Sequence, residues 1–134
     1  MHYSILLDVA GPGLLLVAAG GILGLCLATV IIITIEGIIL WRLRWGSFKR
    51  ALLAATLMNI ASTILGFGLV SLTIQWGFLG LSINLALSIL LEGMVLMLLK
   101  SKAIRENWIA ALVANCTSYL LVILPLYLFF DLLK

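Results

Sequence analysis

Four long apolar runs succeed one another along this chain, separated by short polar breaks. They extend from about Leu14 to Leu40, Ala51 to Ile74, Phe78 to Leu99 and Trp108 to Phe130. Each is long enough to cross a bilayer, which takes roughly 20 helical residues at 1.5 Å rise. Lipid gives an open backbone no hydrogen-bonding partner, so the pattern predicts four transmembrane helices. The first run is longer than needed, which predicts tilt or a start within the interface. Gly11-Pro12-Gly13 is expected to break the chain before it, and Pro125 to kink the fourth run. The link Gln75 to Gly77 is short, so the second and third helices are expected to be antiparallel neighbours.

The polar residues inside these runs follow a pattern. The stretch from Glu36 reads EGIILWRLRWGSFKRALLAATLMNIAS, and the stretch from Glu92 reads EGMVLMLLKSKAIRENWIAALVANCTS. At an offset of 56 residues, nine of the 31 positions from 36 to 66 are identical, among them Glu36, Gly37, Asn59 and Ser62. Matched Leu and Ala carry little information in an apolar chain, whereas matched Glu, Asn and Ser at one offset carry much. The reading is a duplication: repeat 1 at about 14–74 and repeat 2 at about 78–130, both in one transmembrane domain, 1–134. Both repeats have the same orientation, so the fold class expected is an all-α four-helix bundle of two parallel-repeat hairpins.

Composition agrees with this. Of 134 residues, 65% are apolar and 10% charged, with a mean hydropathy of +1.34. A soluble domain has about a quarter of its residues charged. The net charge of +3 is concentrated, because seven of the eight Lys and Arg lie in two loops. These are Arg42, Arg44, Lys49 and Arg50 in one, and Lys100, Lys102 and Arg105 in the other. Such clusters report membrane orientation and contact with lipid headgroups; no nucleic-acid partner is expected. The positive-inside rule places both loops in the cytoplasm and both termini outside, most simply in a plasma (inner) membrane. Trp41, Trp45 and Trp108 then border one face, and Trp76, Tyr127, Phe129 and Phe130 the other. The N-terminus lacks a basic n-region and is read as retained.

Depth brings the polar residues together. Glu36 lies six residues before Arg42, and Asn59 nine after Arg50. At helical rise these are roughly 9 Å and 13 Å inside the same boundary. A Glu–Asn clasp is therefore expected in each hairpin, Glu36 with Asn59 and Glu92 with Asn115. Neighbouring faces carry small and polar residues at helical spacing: Ser62 and Gly66 beyond Asn59, Ser118 beyond Asn115, Asn84 and Ser88 before Glu92, and Gly20 and Gly24 on the first helix. Small residues let helices approach closely, and polar ones bond across the interface.

No HExxH, GxSxG, P-loop or Cys/His cluster occurs, so no enzyme is expected, and no metal or cofactor. Cys26 and Cys116 read as small packing residues. The function expected is that of a small integral-membrane subunit or scaffold, assembling with itself or with a larger membrane complex. The alternative is a transporter or channel subunit that handles protons or cations through Glu36 and Glu92, since an intramembrane carboxyl is a functional candidate by default. The plainest role of each clasp is to lock its own hairpin.

Overall fold

The computed structural model describes the backbone of residues 3–73 and 76–132 and the side chains of residues 21–64 and 76–129. The described residues are almost entirely helical, with no strand among them. Helix α1 spans Tyr3–Arg42, α2 Phe48–Thr73, α3 Phe78–Leu99 and α4 Ile104–Ser118. A π-helical turn, Tyr119–Ile123, joins α4 to α5, Leu124–Leu132. Among the described residues three stretches are long and apolar enough to cross a membrane: Gly21–Arg42, Phe78–Leu99 and Ile104–Phe129. Residues 51–73 of the expected run Ala51–Ile74 are helical in α2, whose side chains beyond Ile64 lie outside the described ones.

The chain divides into two compact units, Met1–Val30 and Ile31–Lys134. The described residues of the first, 3–30, are helix alone. The break expected at Gly11-Pro12-Gly13 does not occur, because α1 runs through it. Pro12 removes one backbone bond, but where no water can solvate freed backbone groups a single missing bond is cheaper than an unwound turn. The second unit contains residues 31–42 of α1 and every later element.

Small residues set the packing of that second unit. Its core is Leu40, Ala51, Ala54, Ala55, Met58, Leu96, Ala110 and Ala111. Large apolar side chains such as Leu53, Leu98 and Leu112 point outward. This is the distribution lipid favours: tails are as apolar as Leu, so burying Leu gains little, and close backbone contact holds the helices together. Gly37 and Gly93 mark the closest approaches. A Cβ at Gly37 would lie 3.1 Å from Leu52 Cδ1, and one at Gly93 would lie 2.3 Å from Trp108 Cζ3. Positions 37 and 93, and positions 52 and 108, are each 56 residues apart.

Local turns follow from backbone bonding. At the end of α1 the Trp45 amide donates to the Leu40 carbonyl at 3.0 Å and the Arg44 amide to the Trp41 carbonyl at 2.9 Å. This is a Schellman closure, and it puts its penultimate residue in the left-handed region. That residue is Arg44, with φ 58°, where glycine is the usual occupant. Arg44→Gly is therefore expected to raise the thermal unfolding temperature in detergent, by an equivalent of about 1 kcal/mol. A lower temperature would show that the arginine side chain contributes more than its backbone costs.

The disturbance expected at Pro125 takes the form of the π turn. The Leu124 amide reaches back to the Tyr119 carbonyl, five residues away. Pro125 has no amide to bond Leu121, and the wider turn just upstream makes room for its ring. At the other chain reversal Gly77 has φ 57°, and a Cβ there would also meet the Tyr127 hydroxyl at 3.3 Å.

Candidate functional site

A ring of polar side chains closes inside the second unit. Asn59 of α2 donates from Nδ2 to Glu36 Oε2 of α1 at 2.5 Å. Asn115 of α4 donates from Nδ2 to Glu92 Oε2 of α3 at 2.8 Å. These are the two expected clasps. Two further bonds run between the hairpins. Ser118 donates from Oγ to Glu36 Oε1 at 2.8 Å, and Ser62 donates from Oγ to Glu92 Oε1 at 3.0 Å. The four bonds thus link α1 to α2, α2 to α3, α3 to α4 and α4 back to α1.

The ring is buried and its donors are used up. Glu36 is 1% exposed and Glu92 2%. All four carboxyl oxygens accept one bond each. The second amide hydrogen of Asn59 goes to the Ala55 carbonyl at 2.9 Å, and that of Asn115 to the Ala111 carbonyl at 3.0 Å. Each serine has an alternative acceptor one turn back on its own helix: Asn59 O at 3.3 Å for Ser62, and Asn115 O at 3.1 Å for Ser118. A hydroxyl has one proton to give but can also accept, so each serine can serve its carboxyl in either sense. Among the described residues the one ion pair is Lys100 with Glu106, at 2.7 Å, and no cation is bonded to Glu36 or Glu92.

The remaining expected residues fall in several places. Ser88 is half-buried on α3. Asn84 is half-buried on α3. In the first unit Gly24 is exposed, and a Cβ there would meet nothing within 4 Å. The surroundings of Gly20 and Gly66 lie outside the described residues. Arg42, Arg44, Lys49, Arg50, Lys102 and Arg105 are exposed, whereas Lys100 is half-buried. Among the described residues no three His, Cys, Asp or Glu gather as metal ligands.

Sequence reasoning missed a second closed circuit, at the basic end. Trp45 donates from Nε1 to Asn107 Oδ1 at 2.7 Å, and Asn107 donates from Nδ2 to the Lys100 carbonyl at 2.8 Å. Lys100 Nζ completes it on the Trp45 carbonyl at 3.4 Å and also pairs with Glu106. This circuit brings the two basic loops to one end of the unit. Asn107 is fully buried, at 0% exposure. Its signal was present: Asn107, Ala111 and Asn115 step by four along one face of α4. The 56-residue offset hid it, because at that offset position 107 falls on Ala51.

Described residues that are almost entirely helical, with three stretches long and apolar enough to cross a membrane, define the class of helical membrane proteins. No protein-family model, curated protein or solved structure matches this chain.

Proposed function

We propose that this chain is a small integral-membrane subunit or scaffold, made of two duplicated helical hairpins in the same orientation, that assembles with itself or with a larger membrane protein. One observation carries the reading: the Glu–Asn–Ser ring uses its carboxyl oxygens and amide hydrogens on partners inside the chain. A site that binds and releases a substrate keeps positions open. A sealed ring instead fixes four helices in one register and leaves apolar outer faces for lipid or another membrane chain. The duplication is supported by residues that the ring and core use in matched pairs 56 apart: Glu36 and Glu92, Asn59 and Asn115, Ser62 and Ser118, Leu40 and Leu96. Gly24, exposed on α1 four residues after Gly20, offers a small-residue face for such assembly. With the basic loops in the cytoplasm of a plasma membrane, the shared basic end faces inward.

A second reading rests on a different observation. Two carboxyls share one buried ring with no cationic partner among the described residues. Such a pair is a candidate for proton or cation handling. Native purification in mild detergent, with particle mass and co-purifying chains read by mass spectrometry, tests the first reading. The expected result is a stoichiometric partner or a defined homo-oligomer that the Glu36→Gln, Glu92→Gln double variant retains. A monodisperse monomer, together with proton or cation flux in vesicles that the double variant abolishes, would overturn it in favour of the second.

A further inference from the structure

Apart from the ring, one cavity in the second unit changes character along the helix axis. It has a volume of about 410 Å³ and lies beside the start of α2 and the end of α3. Arg50 and Lys100 line the part nearest the loops, with Trp45 beside them. Leu53 and Ala54, a turn further into α2, line the other part with Leu99. No carboxylate lines it.

Arg50 carries the unpaired charge at the cavity, and Lys100 keeps one hydrogen for an anion. Arg50 is exposed and has no acidic partner among the described residues. Lys100 is ion-paired with Glu106 at 2.7 Å and also bonds the Trp45 carbonyl, which leaves one of its three hydrogens for a ligand; its ammonium lies 5.9 Å from the centre of the Trp45 ring. Trp45 is itself held by Asn107. The first intrahelical bond of α2 runs from the Ala51 amide to the Ser47 carbonyl. The amides of residues 48 to 50 therefore begin the helix without intrahelical partners and add a positive dipole end at the cavity. The apolar part favours a lipid over a free anion. Leu53 is 60% exposed and Leu99 47%, so this wall opens onto the outer face where acyl chains lie. A free phosphate would gain nothing from those leucines.

We propose that this cavity seats one anionic phospholipid, its phosphate between Arg50 and Lys100 and an acyl chain along Leu53 and Leu99. The two cations come from different hairpins, so the bound lipid ties the hairpins together at the basic end. The test reconstitutes the whole chain in vesicles of equal phosphatidylglycerol and phosphatidylcholine, extracts it in mild detergent, and counts retained lipids by native mass spectrometry. Wild type is expected to keep one phosphatidylglycerol, preferred about tenfold over phosphatidylcholine. Arg50→Gln, which breaks no hydrogen bond in the structure, should remove most of that preference, and Arg50→Gln with Lys100→Gln should remove it all. Lys102→Gln with Arg105→Gln deletes the same charge outside the cavity and should leave it intact. Equal losses in both double variants would mean that loop charge alone recruits lipid, and would overturn the site. So would wild type without a headgroup preference. Full displacement of the phospholipid by inorganic phosphate would make the ligand a free anion and refute the lipid assignment.

Discussion

Glu36→Ala destabilises the bundle strongly, and Glu36→Gln less so; Glu92 behaves the same way. This is the largest effect expected on stability. Removing the Glu36 carboxyl leaves the Asn59 amide and the Ser118 hydroxyl without their acceptor, on two different helices. Each buried group left unpaired costs about 1–3 kcal/mol, and Ser118 recovers part of this by turning to the Asn115 carbonyl. A net loss of about 2 kcal/mol follows for Ala, read as a lower unfolding temperature or earlier denaturation in mixed micelles. Glutamine keeps an oxygen for Asn59 and offers an N–H that Ser118 can accept. The serine hydrogen then goes to its own helix, so the second glutamine hydrogen is the one donor left without a named acceptor, while glutamine fills the space that alanine leaves empty. A double-mutant cycle between positions 36 and 118 isolates the bond between hairpins, with a coupling expected near 0.6 kcal/mol and up to about 1.7. Strict additivity would remove the inter-hairpin bond from the account, and equal losses for Ala and Gln would make the charge, not the bonding, the stabilising feature.

The second large effect is expected at Gly93. An added methyl would sit 2.3, 2.6 and 3.0 Å from three atoms of the Trp108 ring. No real contact is that short, so Gly93→Ala must push α3 from α4 or expel the indole. Overpacking of this kind costs about 1–3 kcal/mol. Position 108 corresponds to Leu52 in the first hairpin, where a Cβ at Gly37 meets Leu52 at a milder 3.1 Å. Trp108→Leu should therefore rescue Gly93→Ala in large part, copying the Gly37–Leu52 packing at positions 93 and 108. Gly93→Ala folding with wild-type stability, or no rescue by Trp108→Leu, would refute this view of the contact. Either way Trp108 fluorescence reports whether the ring moved.

Much of this was legible along the chain because a bilayer is a strict solvent. Long apolar runs must become helices, and a Glu or Asn within one must find a partner. The clasps of Glu36 with Asn59 and Glu92 with Asn115 followed from depth alone, since a short basic loop fixes how far each residue lies from the boundary. Ser62 and Ser118 were legible only as members of small-residue faces. Spacing shows that a serine shares a helix face with an asparagine, not which helix lies opposite. Asn107 was hidden for a related reason: its partners, Trp45 and the Lys100 carbonyl, lie in two different loops, and no period connects them.

The sequence by itself determined the helical class, the positions of the chain reversals, the basic end and the identity of the two buried carboxyls. Those follow from solvation, which acts on each residue where it stands. The tertiary structure decided that Ser118 serves Glu36 and Ser62 serves Glu92, and that Asn107 closes the loops. It also decided that helix runs through Gly11-Pro12-Gly13. The pairings depend on which helix packs beside which, and a hydrogen bond across 82 residues is set by that packing rather than by anything local to either partner.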